Sequence, residues 1–377
     1  MIGIPTTALD LTRELLRFDT VNPPGNERAC AERLGGLLES AGFVAKSFEF
    51  APGRTGLVAR IGGSAGRPPL CFSGHIDVVP LGAMPWTRDP FAAEVDGGRL
   101  YGRGSSDMKG GVAAFVIAAC RLADRLASTP GLVLVISAGE ENGCEGARYL
   151  ARVPGALGEA GAVVVAEPTG NYPLVGHKGA LWLAAESRGV TAHGSMPERG
   201  VNAIYKAARA VTRLEEFAFD TPSHPVLGAP TLNVGTMTGG MNLNSVPDRC
   251  RFTIDIRSIP GQKHRAVVER LAHYLGQDIA LARLVDVEGV WTDPAHPWVQ
   301  EVFDLATPAV GSRPVVRAAP YFTDASELTP AFGGAPTIIL GPGELELAHQ
   351  TDEYLRLDRL EAAVELYETI ARRWCGV

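Results

Sequence analysis

Short apolar runs that end near glycine or proline, separated by segments of helical periodicity, constrain the fold of this chain more than any other feature. In its first and last parts the strand-like runs are residues 43–49, 57–62, 69–74, 132–138, 161–165 and 336–340. The segments with helical spacing are residues 6–18, 26–42, 110–125, 144–151, 297–307 and 357–374. Strands that are apolar on both faces and alternate with helices indicate an α/β fold, with a mostly parallel sheet flanked by helices.

The middle of the chain follows a different order. Its predicted elements are a strand at 180–190, a helix at 201–217, strands at 231–237 and 249–257, a helix at 262–276 and a strand at 280–288. The order β-α-β-β-α-β is that of a ferredoxin-like α+β unit. Because apolar and polar residues alternate in RFTIDIR (251–257), this sheet has one buried and one open face. We therefore predict an inserted domain at 174–290 within a discontinuous domain at 1–173 and 291–377.

Composition and charge exclude several classes of function. The net charge of −7 argues against a nucleic-acid partner, because neutralising phosphates requires a basic face. The strongest apolar runs, 131–138 and 161–166, are far shorter than a membrane span, and the first residues lack the pattern of a signal peptide. The six cysteines are scattered without a C-x-x-C pair, which suits buried hydrophobic residues better than disulfides or zinc thiolates. A reducing, cytoplasmic location is expected.

Histidine and acidic residues stand where several apolar runs end. His75 and Asp77 follow the run 69–74, and positions i and i+2 of an extended chain point the same way. Asp77 could therefore accept the second ring N–H of His75 and fix its tautomer behind a metal ion. The H-x-D spacing alone also fits a surface histidine with a chance aspartate beside it.

Asp107 lies in YGRGSSDMKGG, directly before the predicted helix 110–125. A phosphate loop requires G-x-x-x-x-G-K-[ST], and this interpretation fails because Lys109 is followed by glycine. A dinucleotide-binding fingerprint fails as well, because Asp107 replaces its third glycine and would repel a pyrophosphate. Asp107 is therefore either a carboxylate held close to a positive group or a plain turn aspartate.

Three further strand-end placements extend the pattern. Glu140 and Glu141 follow the run 131–138, where neighbouring carboxylates repel unless a cation compensates or one takes up a proton. Glu141 could bind a metal while Glu140 stays unligated and moves a proton between water and a leaving group. Glu167 follows 161–165, and His349 follows 336–340. Each could be a solvated loop residue, but together these placements indicate a nitrogen-and-oxygen site for two metal ions in a hydrolase.

Seven segments between residues 72 and 355 resemble, in the same order, the M20 metallopeptidase and aminoacylase family, in particular its acetylornithine deacetylase/succinyl-diaminopimelate desuccinylase branch. They are SGHIDVVP, GRGSSDMKGG, SAGEENG, VVAEPTG, GVTAHGSMPERGVNAI, NVGTMTGGMNLNSVPDRCRFTIDIR and LGPGELELAHQTDEYL. The resemblance implies that residues 1–173 and 291–377 form a zinc-peptidase-like, di-metal catalytic domain. It also implies that residues 174–290 form a lid and dimerisation domain.

The resemblance assigns a role to each strand-end residue. It implies two divalent metal ions, zinc in the first place with cobalt or manganese as alternatives. The implied ligands are His75 and Glu167 on one ion, Glu141 and His349 on the other, and Asp107 bridging both. Glu140 matches the general base, and Asp77 matches the residue behind His75. The family often has a cis peptide after the bridging aspartate, so Asp107–Met108 is expected to be cis.

The inserted domain supplies a second group of residues by the same resemblance. His193, in TAHGSMP, matches a lid histidine that reaches across a dimer to bind the oxyanion of the substrate. Asn244 and Arg257 match residues that hold the substrate carboxylate or acyl group, and a guanidinium can grip a carboxylate through two N–H groups. Lys178, in GHKGA, is a further candidate for contact with an acidic group. Without the resemblance, His193 is a turn histidine and Arg257 an exposed strand charge.

The resemblance implies a homodimeric amidohydrolase that removes the acyl group from an N-acyl amino acid. The ending LELAHQTDEYL favours the deacetylase side, whereas GHKG and TDASEL depart from the desuccinylase pattern. A desuccinylase, or a dipeptidase or carboxypeptidase that uses the same metals on short peptides, remains an alternative. A non-catalytic binding protein of the same fold is disfavoured, because binding alone does not require the spare base Glu140.

Overall fold

The computed structural model describes residues 7–63 and 66–377. Its helices are α1 (Ala8–Leu16), α2 (Arg28–Ser40), α3 (Gly110–Leu122), α4 (Glu145–Arg152), α5 (Ala203–Leu214), α6 (His264–Leu275), α7 (Pro297–Val310), α8 (Ala325–Ala331) and α9 (Leu357–Cys375). Its strands are β1 (Val44–Ala51), β2 (Arg54–Ile61), β3 (Leu70–His75), β4 (Val95–Asp96), β5 (Arg99–Tyr101), β6 (Leu132–Ser137), β7 (Ala162–Val165), β8 (Gly176–His177), β9 (Gly179–Arg188), β10 (Thr231–Gly239), β11 (Arg249–Ser258), β12 (Ile279–Val287), β13 (Val290–Trp291), β14 (Thr337–Ile339) and β15 (Tyr354–Arg356). Thr6, the first residue of the predicted helix 6–18, lies outside the described residues.

The chain forms two compact units. Unit 1 contains the described residues up to Gly176 together with Trp291–Arg317 and Thr323–Val377. Unit 2 contains His177–Val290 and the short segment Ala318–Phe322, which the sequence pattern does not single out. The catalytic and lid roles that the resemblance gives to the predicted domains stay predictions.

Unit 1 is built on a six-stranded sheet in the order β1-β2-β6-β3-β7-β14. The pairs β6–β3, β3–β7 and β7–β14 are parallel, whereas β1–β2 and β2–β6 are antiparallel. Strands β1 and β2 are joined by a turn of two residues, which permits only an antiparallel pair. The predicted α/β fold with a mostly parallel sheet is confirmed.

Helices cover both faces of this sheet. Every residue of β3, β6 and β7 is buried, as the apolar runs in the sequence predicted. Phe72 of β3 packs against Phe115 of α3 and Tyr367 of α9, with ring centroids 6.0 and 5.3 Å apart. Because these strands are buried and hydrogen-bonded to one another, their carboxyl ends are fixed relative to one another.

Unit 2 contains an antiparallel four-stranded sheet in the order β10-β11-β9-β12, with α5 and α6 packed on one face. This is the ferredoxin-like arrangement that the element order predicted. In β11, buried residues alternate with half-buried or exposed residues, so the predicted period of two is confirmed. The polar side chains of β11 therefore lie on the open face of the sheet.

Sequence periodicity missed the shortest elements. Strands β4, β5 and β15 form a small three-stranded sheet in unit 1, and α8 has only seven residues. Elements of this length show too few turns or alternations to be recognised from hydrophobic spacing. The six cysteines are free, and all but the half-buried Cys120 are buried, in agreement with the prediction. Over residues 7–63 and 66–377, no helix is long and apolar enough to cross a membrane.

Candidate metal centre

Four adjacent parallel strands bring the predicted residues to one edge of the sheet of unit 1. His75 is the last residue of β3, Glu140 and Glu141 follow β6, Glu167 follows β7, and His349 follows β14. Side chains that follow the carboxyl ends of neighbouring parallel strands share one crevice. The backbone of His349 has φ = +63°, a left-handed conformation that is uncommon for residues other than glycine and concentrates at functional sites.

Asp107 lies between the two imidazoles. Its Oδ1 atom is 3.3 Å from Nε2 of His75, and its Oδ2 atom is 3.4 Å from Nε2 of His349. Nε2 of His349 is also 3.1 Å from Oε2 of Glu141, and Nε2 of His75 is 3.9 Å from Oε1 of Glu167. The structure therefore brings together all five residues that the sequence singled out as metal ligands, and each imidazole faces a different oxygen of Asp107.

The peptide bond between Asp107 and Met108 is cis, as the resemblance implied. It lies in a turn at Ser105–Lys109 that immediately precedes α3. The turn is buried, and Gly104 enters it with φ = +88°. The carboxylate of Asp107 therefore projects from a buried turn directly before α3.

The carboxyl groups of the centre repel one another. Burial raises the pKa of Glu140 and of Glu167 well above the usual value for glutamate, and neighbouring carboxylates add to the effect. The pKa of Glu141 is raised by burial and by Asp107. For Asp107, burial would raise the pKa, but the nearby imidazoles of His349 and His75 lower it below its usual range.

The pKa values of the two imidazoles are raised as well. Hydrogen bonds with Asp107 and Glu141 raise the pKa of His349 to about 10. Burial alone would lower the pKa of His75, whereas its contacts with Asp107 and Asp77 raise it well above the usual value for histidine. Without a metal ion, proton uptake by these groups offsets the repulsion among the four carboxyl groups, and a bound cation would offset the same repulsion.

Two observations test whether these residues fit metal ions. Oδ1 of Asp107 and Oε1 of Glu141 are buried and have no hydrogen-bond partner among the described residues. Ligand atoms of His75, Asp107 and Glu141 lie within 4.8 Å of one another, and so do those of His75, Glu140 and Glu167. Imidazole nitrogen and carboxylate oxygen are ligands that suit zinc and related divalent ions, so the residues fit.

Asp77 supports the loop that carries the two glutamates. Its carboxylate accepts hydrogen bonds from the backbone N–H groups of Glu140 at 3.1 Å and Glu141 at 3.3 Å, and from the side-chain amide of Asn22 at 2.8 Å. Nδ1 of His75 lies 3.0 Å from the backbone carbonyl oxygen of Asp77 and 3.5 Å from its carboxylate. Asp77 therefore lies behind His75 as predicted from the spacing, but its carboxylate mainly holds the loop of Glu140 and Glu141.

A second buried carboxyl group lies beside Glu140. The hydroxyl of Ser137 donates a hydrogen bond to Oδ2 of Asp324, while Oδ1 of Asp324 has no partner among the described residues. Burial raises the pKa of Asp324 to about 6. The thiol of Cys144 is 3.9 Å from Oε1 of Glu140, and ligand atoms of Glu140, Cys144 and Asp324 lie within 4.8 Å of one another. Glu140 is thus close to a second buried carboxyl group and to a thiol.

Sequence reasoning missed three supporting residues: Asn22, Asp324 and Glu353, whose carboxylate accepts the backbone N–H groups of Ser106 and Asp107. Asn22 precedes Pro23 in VNPPG, and its side-chain oxygen accepts a hydrogen bond from the amide of Asn142 at 2.6 Å. Asp324 and Glu353 lie in TDASEL and TDEYL, segments that sequence reasoning used only for family resemblance. Their contacts join segments that are remote in the sequence, so no local pattern reveals them.

In unit 2, His193 and Asn244 lie on neighbouring segments. The N–H of Gly194 donates to the carbonyl oxygen of Asn244 at 2.7 Å, and His193 pairs with Ser245 as an isolated bridge. Nδ1 of His193 accepts the backbone N–H of Ser195 at 3.2 Å, so the neutral ring carries its proton on Nε2. His193 and Asn244 are both exposed.

Lys178 and Arg257 lie near each other in the same unit. Burial lowers the pKa of Lys178, and the nearby positive charge of Arg257 lowers it further. The ammonium group of Lys178 donates to the carbonyl oxygen of Ala229 at 2.7 Å, and the guanidinium of Arg257 forms an ion pair with Asp255 at 3.0 Å. The structure thus groups the four unit 2 candidates into two pairs.

An α/β sheet with imidazoles and carboxylates gathered at the carboxyl ends of its parallel strands defines the class of α/β metallohydrolases. A model of Peptidase family M20/M25/M40 matches residues 71–373, and the chain belongs to this family. The family membership that the sequence motifs predicted is therefore confirmed. The chain is a hydrolase of amide bonds from a family of metallopeptidases.

Curated relatives match nearly the full length of the chain. It is 34% identical to an acetylornithine deacetylase of Myxococcus xanthus, over 99% of this chain and 98% of that protein. It is 30% identical to an acetylornithine deacetylase of Proteus mirabilis, with the same coverage. It is also 30% identical to a probable succinyl-diaminopimelate desuccinylase of Staphylococcus epidermidis, over 97% of this chain and 96% of that protein.

Solved structures share the fold. An M20 family metallo-carboxypeptidase from Sulfolobus solfataricus superposes with a TM-score of 0.81 at 20% identity, covering 98% of this chain and 99% of that chain. A dinuclear metal-binding M20 peptidase from Bacillus subtilis superposes with a TM-score of 0.70 at 17% identity, covering 98% of each chain. At these identities the comparison establishes the fold alone.

Proposed function

We propose that this protein is a di-metal amidohydrolase that removes the acyl group from an N-acyl amino acid. The observation that carries the proposal is the position of Asp107, whose two carboxylate oxygens each face a different imidazole. Asp107 would bridge two divalent cations, with His75 and Glu167 holding one and Glu141 and His349 the other. Zinc is the proposed ion, with cobalt or manganese as alternatives.

The cations would polarise the acyl carbonyl and lower the pKa of water when bound. Glu140 accepts the proton of the attacking water and returns it to the nitrogen of the leaving amine. Glu140 is 4% exposed and forms no ion pair among the described residues, which leaves its carboxylate available as a base. Asp77 keeps Glu140 in place through the backbone of that residue.

The residues of unit 2 are proposed to bind the substrate. The Nε2–H group of His193 would donate a hydrogen bond to the oxyanion that develops on the acyl carbonyl. Arg257 and Asn244 would hold the substrate carboxylate or acyl group, with Lys178 as a further cation for an acidic group. The pairing of His193 with Asn244, and of Lys178 with Arg257, supports two separate subsites.

A hydrolysis panel tests the proposed function. The protein is stripped with a chelator, reloaded with zinc, cobalt or manganese, and assayed with N-acetyl, N-succinyl and N-formyl amino acids and with dipeptides. We expect metal-dependent release of the amino acid from N-acetyl substrates, because acetylornithine deacetylases are among the relatives. Cleavage of dipeptides alone would favour the dipeptidase or carboxypeptidase alternative, and cleavage of N-succinyl substrates alone a desuccinylase. Absence of metal-dependent hydrolysis of any amide would overturn the proposal.

We further propose a cytoplasmic homodimer that associates through unit 2. Unit 2 exposes large apolar side chains, among them Met241, 75% exposed, and Leu243, which is fully exposed. Burial of these two side chains, which are two residues apart, would favour association through this segment. The six free cysteines suit a reducing compartment.

A further inference from the structure

One buried glutamate, Glu353, binds the turn that carries Asp107. Its side chain is fully buried and accepts four hydrogen bonds, two at each oxygen. Oε1 accepts the backbone N–H groups of Ser106 at 2.8 Å and Asp107 at 3.0 Å. Oε2 accepts the backbone N–H of Gly104 at 3.0 Å and a guanidinium N–H of Arg103 at 2.7 Å.

The turn offers these donors because of its backbone conformation. Gly104 has φ = +88°, and Asp107 and Met108 depart from helical geometry, so the N–H groups of residues 104, 106 and 107 point toward one carboxylate. Successive N–H groups that converge in this way form a concave anion-binding site. The side chain of Glu353 fills that site, and so it fixes the orientation from which Asp107 projects.

Glu353 also belongs to the segment that carries His349. Three residues separate the two along the chain, and the backbone carbonyl oxygen of Glu353 accepts the N–H of Gly102 at 3.0 Å. The next residue, Tyr354, accepts the hydroxyl of Ser106 at 2.7 Å through its carbonyl oxygen. The segments of Asp107 and His349, which are remote in the sequence, are therefore joined to each other at Glu353.

We infer that Glu353 is a positioning residue, which sets the distance between Asp107 and His349 and thereby allows one carboxylate to serve two cations. This inference rests on the proposed bridging role of Asp107. Glu353 has no free oxygen lone pair to offer a cation, because four N–H groups already occupy its carboxylate. It acts through the backbone of the turn and not by contact with the metal ions or the substrate.

A buried arginine compensates the charge of Glu353. The guanidinium of Arg103 is 1% exposed, donates to Oε2 of Glu353, and lies 5.1 Å from the ring centroid of Trp86. A buried carboxylate can therefore stand next to a cluster of other carboxylates without a further cation. A neutral glutamine at this position would present an amide N–H₂ group to two N–H donors, and it would lose about half of the hydrogen bonds to the turn.

The experiment compares Glu353→Gln with a matched control, Glu27→Gln. Glu27 is also fully buried and accepts hydrogen bonds from Arg54 at 2.9 and 3.0 Å, so both variants remove one buried carboxylate from an arginine. The first two readouts are thermal unfolding of the metal-free protein and calorimetric titration with zinc. The visible absorption of the cobalt-loaded protein is a third readout, because it reports the ligand geometry.

We expect both variants to unfold at lower temperature, but only Glu353→Gln to bind the metal ions more weakly, by about 10–100-fold, with an altered cobalt spectrum. Unchanged affinity and an unchanged spectrum in Glu353→Gln would overturn the inference. If Glu353→Gln does not fold, Glu353→Asp keeps the charge with a side chain one methylene shorter, and the same measurements apply with a smaller expected loss.

The titration also separates this inference from the proposed function. Wild-type protein that binds two zinc ions, together with a variant that binds them equally well, contradicts the role of Glu353 alone. Wild-type protein that fails to bind two ions contradicts the bridging role of Asp107, and the inference falls with it. Neither measurement depends on knowing the substrate.

Discussion

Glu140 differs from the other acidic residues of the centre because neither imidazole lies within ion-pair distance of it among the described residues. It is 4% exposed, and its backbone is fixed by Asp77. We expect Glu140→Gln to lower kcat by about 10²–10⁴-fold, because an amide cannot accept the proton of the attacking water. The bound metal, measured by plasma mass spectrometry, is expected to stay at the wild-type level.

Glu145→Gln is the matched control for this substitution. Glu145 lies in the same loop region at the start of α4, but its side chain is 43% exposed and 3.6 Å from Arg54. Its replacement is expected to leave kcat within about twofold, since exposed ion pairs contribute little. Wild-type turnover in Glu140→Gln would exclude Glu140 as the base. Loss of metal from the same variant would indicate that Glu140 is a metal ligand instead.

The protonation of the centre leads to a pH prediction. In the metal-free protein the pKa of His349 is raised to about 10, and the pKa values of His75, Glu140 and Glu167 are raised well above their usual values. Each of these groups binds protons more tightly in the folded than in the unfolded state. The stability that they contribute is therefore present at low pH and is lost as the pH rises toward the folded pKa values.

Metal binding opposes this trend, because cations require neutral imidazoles and ionised carboxylates. We expect the difference in Tm between metal-loaded and chelator-treated protein to widen from pH 6 to pH 8. Asp107 does not alter the sign, because its lowered pKa affects stability only in strongly acidic solution. Calorimetric titration with zinc at pH 7 in buffers of different ionisation enthalpy should show proton release. A difference in Tm that narrows with rising pH would contradict the proposal that the cations replace protons on these imidazoles and carboxyl groups.

At the scale of elements, the strand ends are joined by polar side chains. Asn22, before α2, is 2% exposed and links the carboxylate of Asp77 after β3 to the amide of Asn142 after β6. We expect Asn22→Ala to destabilise the protein by about 1–3 kcal/mol, because it leaves buried polar groups unpaired. Its kcat should fall as well, since the loop of Glu140 loses support.

Urea unfolding and steady-state kinetics measure both effects. Asn26→Ala is the matched control, because Asn26 lies four residues further along and is exposed. This control should change the free energy of unfolding by no more than about 0.5 kcal/mol. An Asn22→Ala variant as stable and active as the control would mean that the loop of Glu140 is held by Asp77 without Asn22.

The sequence predicts the residues at the strand ends of the metal centre, but not the residues that support them. His75, Glu140 and Glu167 end apolar runs, and hydrophobic periodicity alone predicts that such residues meet at one edge of a parallel sheet. Asn22 and Glu353 contact segments that are 55 and 250 residues away along the chain. These contacts exist only after the elements pack, so periodicity and turn residues carry no information about them. The contacts of Asp77 illustrate this limit. The H-x-D spacing predicted its place behind His75, but it did not predict that its carboxylate mainly accepts the backbone N–H groups of Glu140 and Glu141.

At the scale of the whole molecule, the proposed dimer can be tested by substituting an exposed apolar residue of unit 2. We expect Leu243→Asp to produce a monomer, because a buried unpaired charge in an interface costs far more than one apolar contact contributes. Sedimentation velocity measures the change. Met84→Asp in unit 1, where Met84 is 69% exposed, is the control and should keep the wild-type oligomeric state. A wild-type protein that is an active monomer would exclude association through unit 2.

The origin of His193 at each centre can be tested by mixing two inactive variants. If His193 acts across the dimer, a heterodimer of Glu140→Gln and His193→Ala protomers contains one complete centre, formed by Glu140 of one chain and His193 of the other. Random exchange of subunits makes half of the dimers heterodimers, so about a quarter of the wild-type activity should return. If His193 acts within its own chain, no centre in the mixture has both residues, and the activity stays at the level of the separate variants. The mixture with Leu243→Asp added to both chains is the control, because protomers that cannot associate have no means to complement each other.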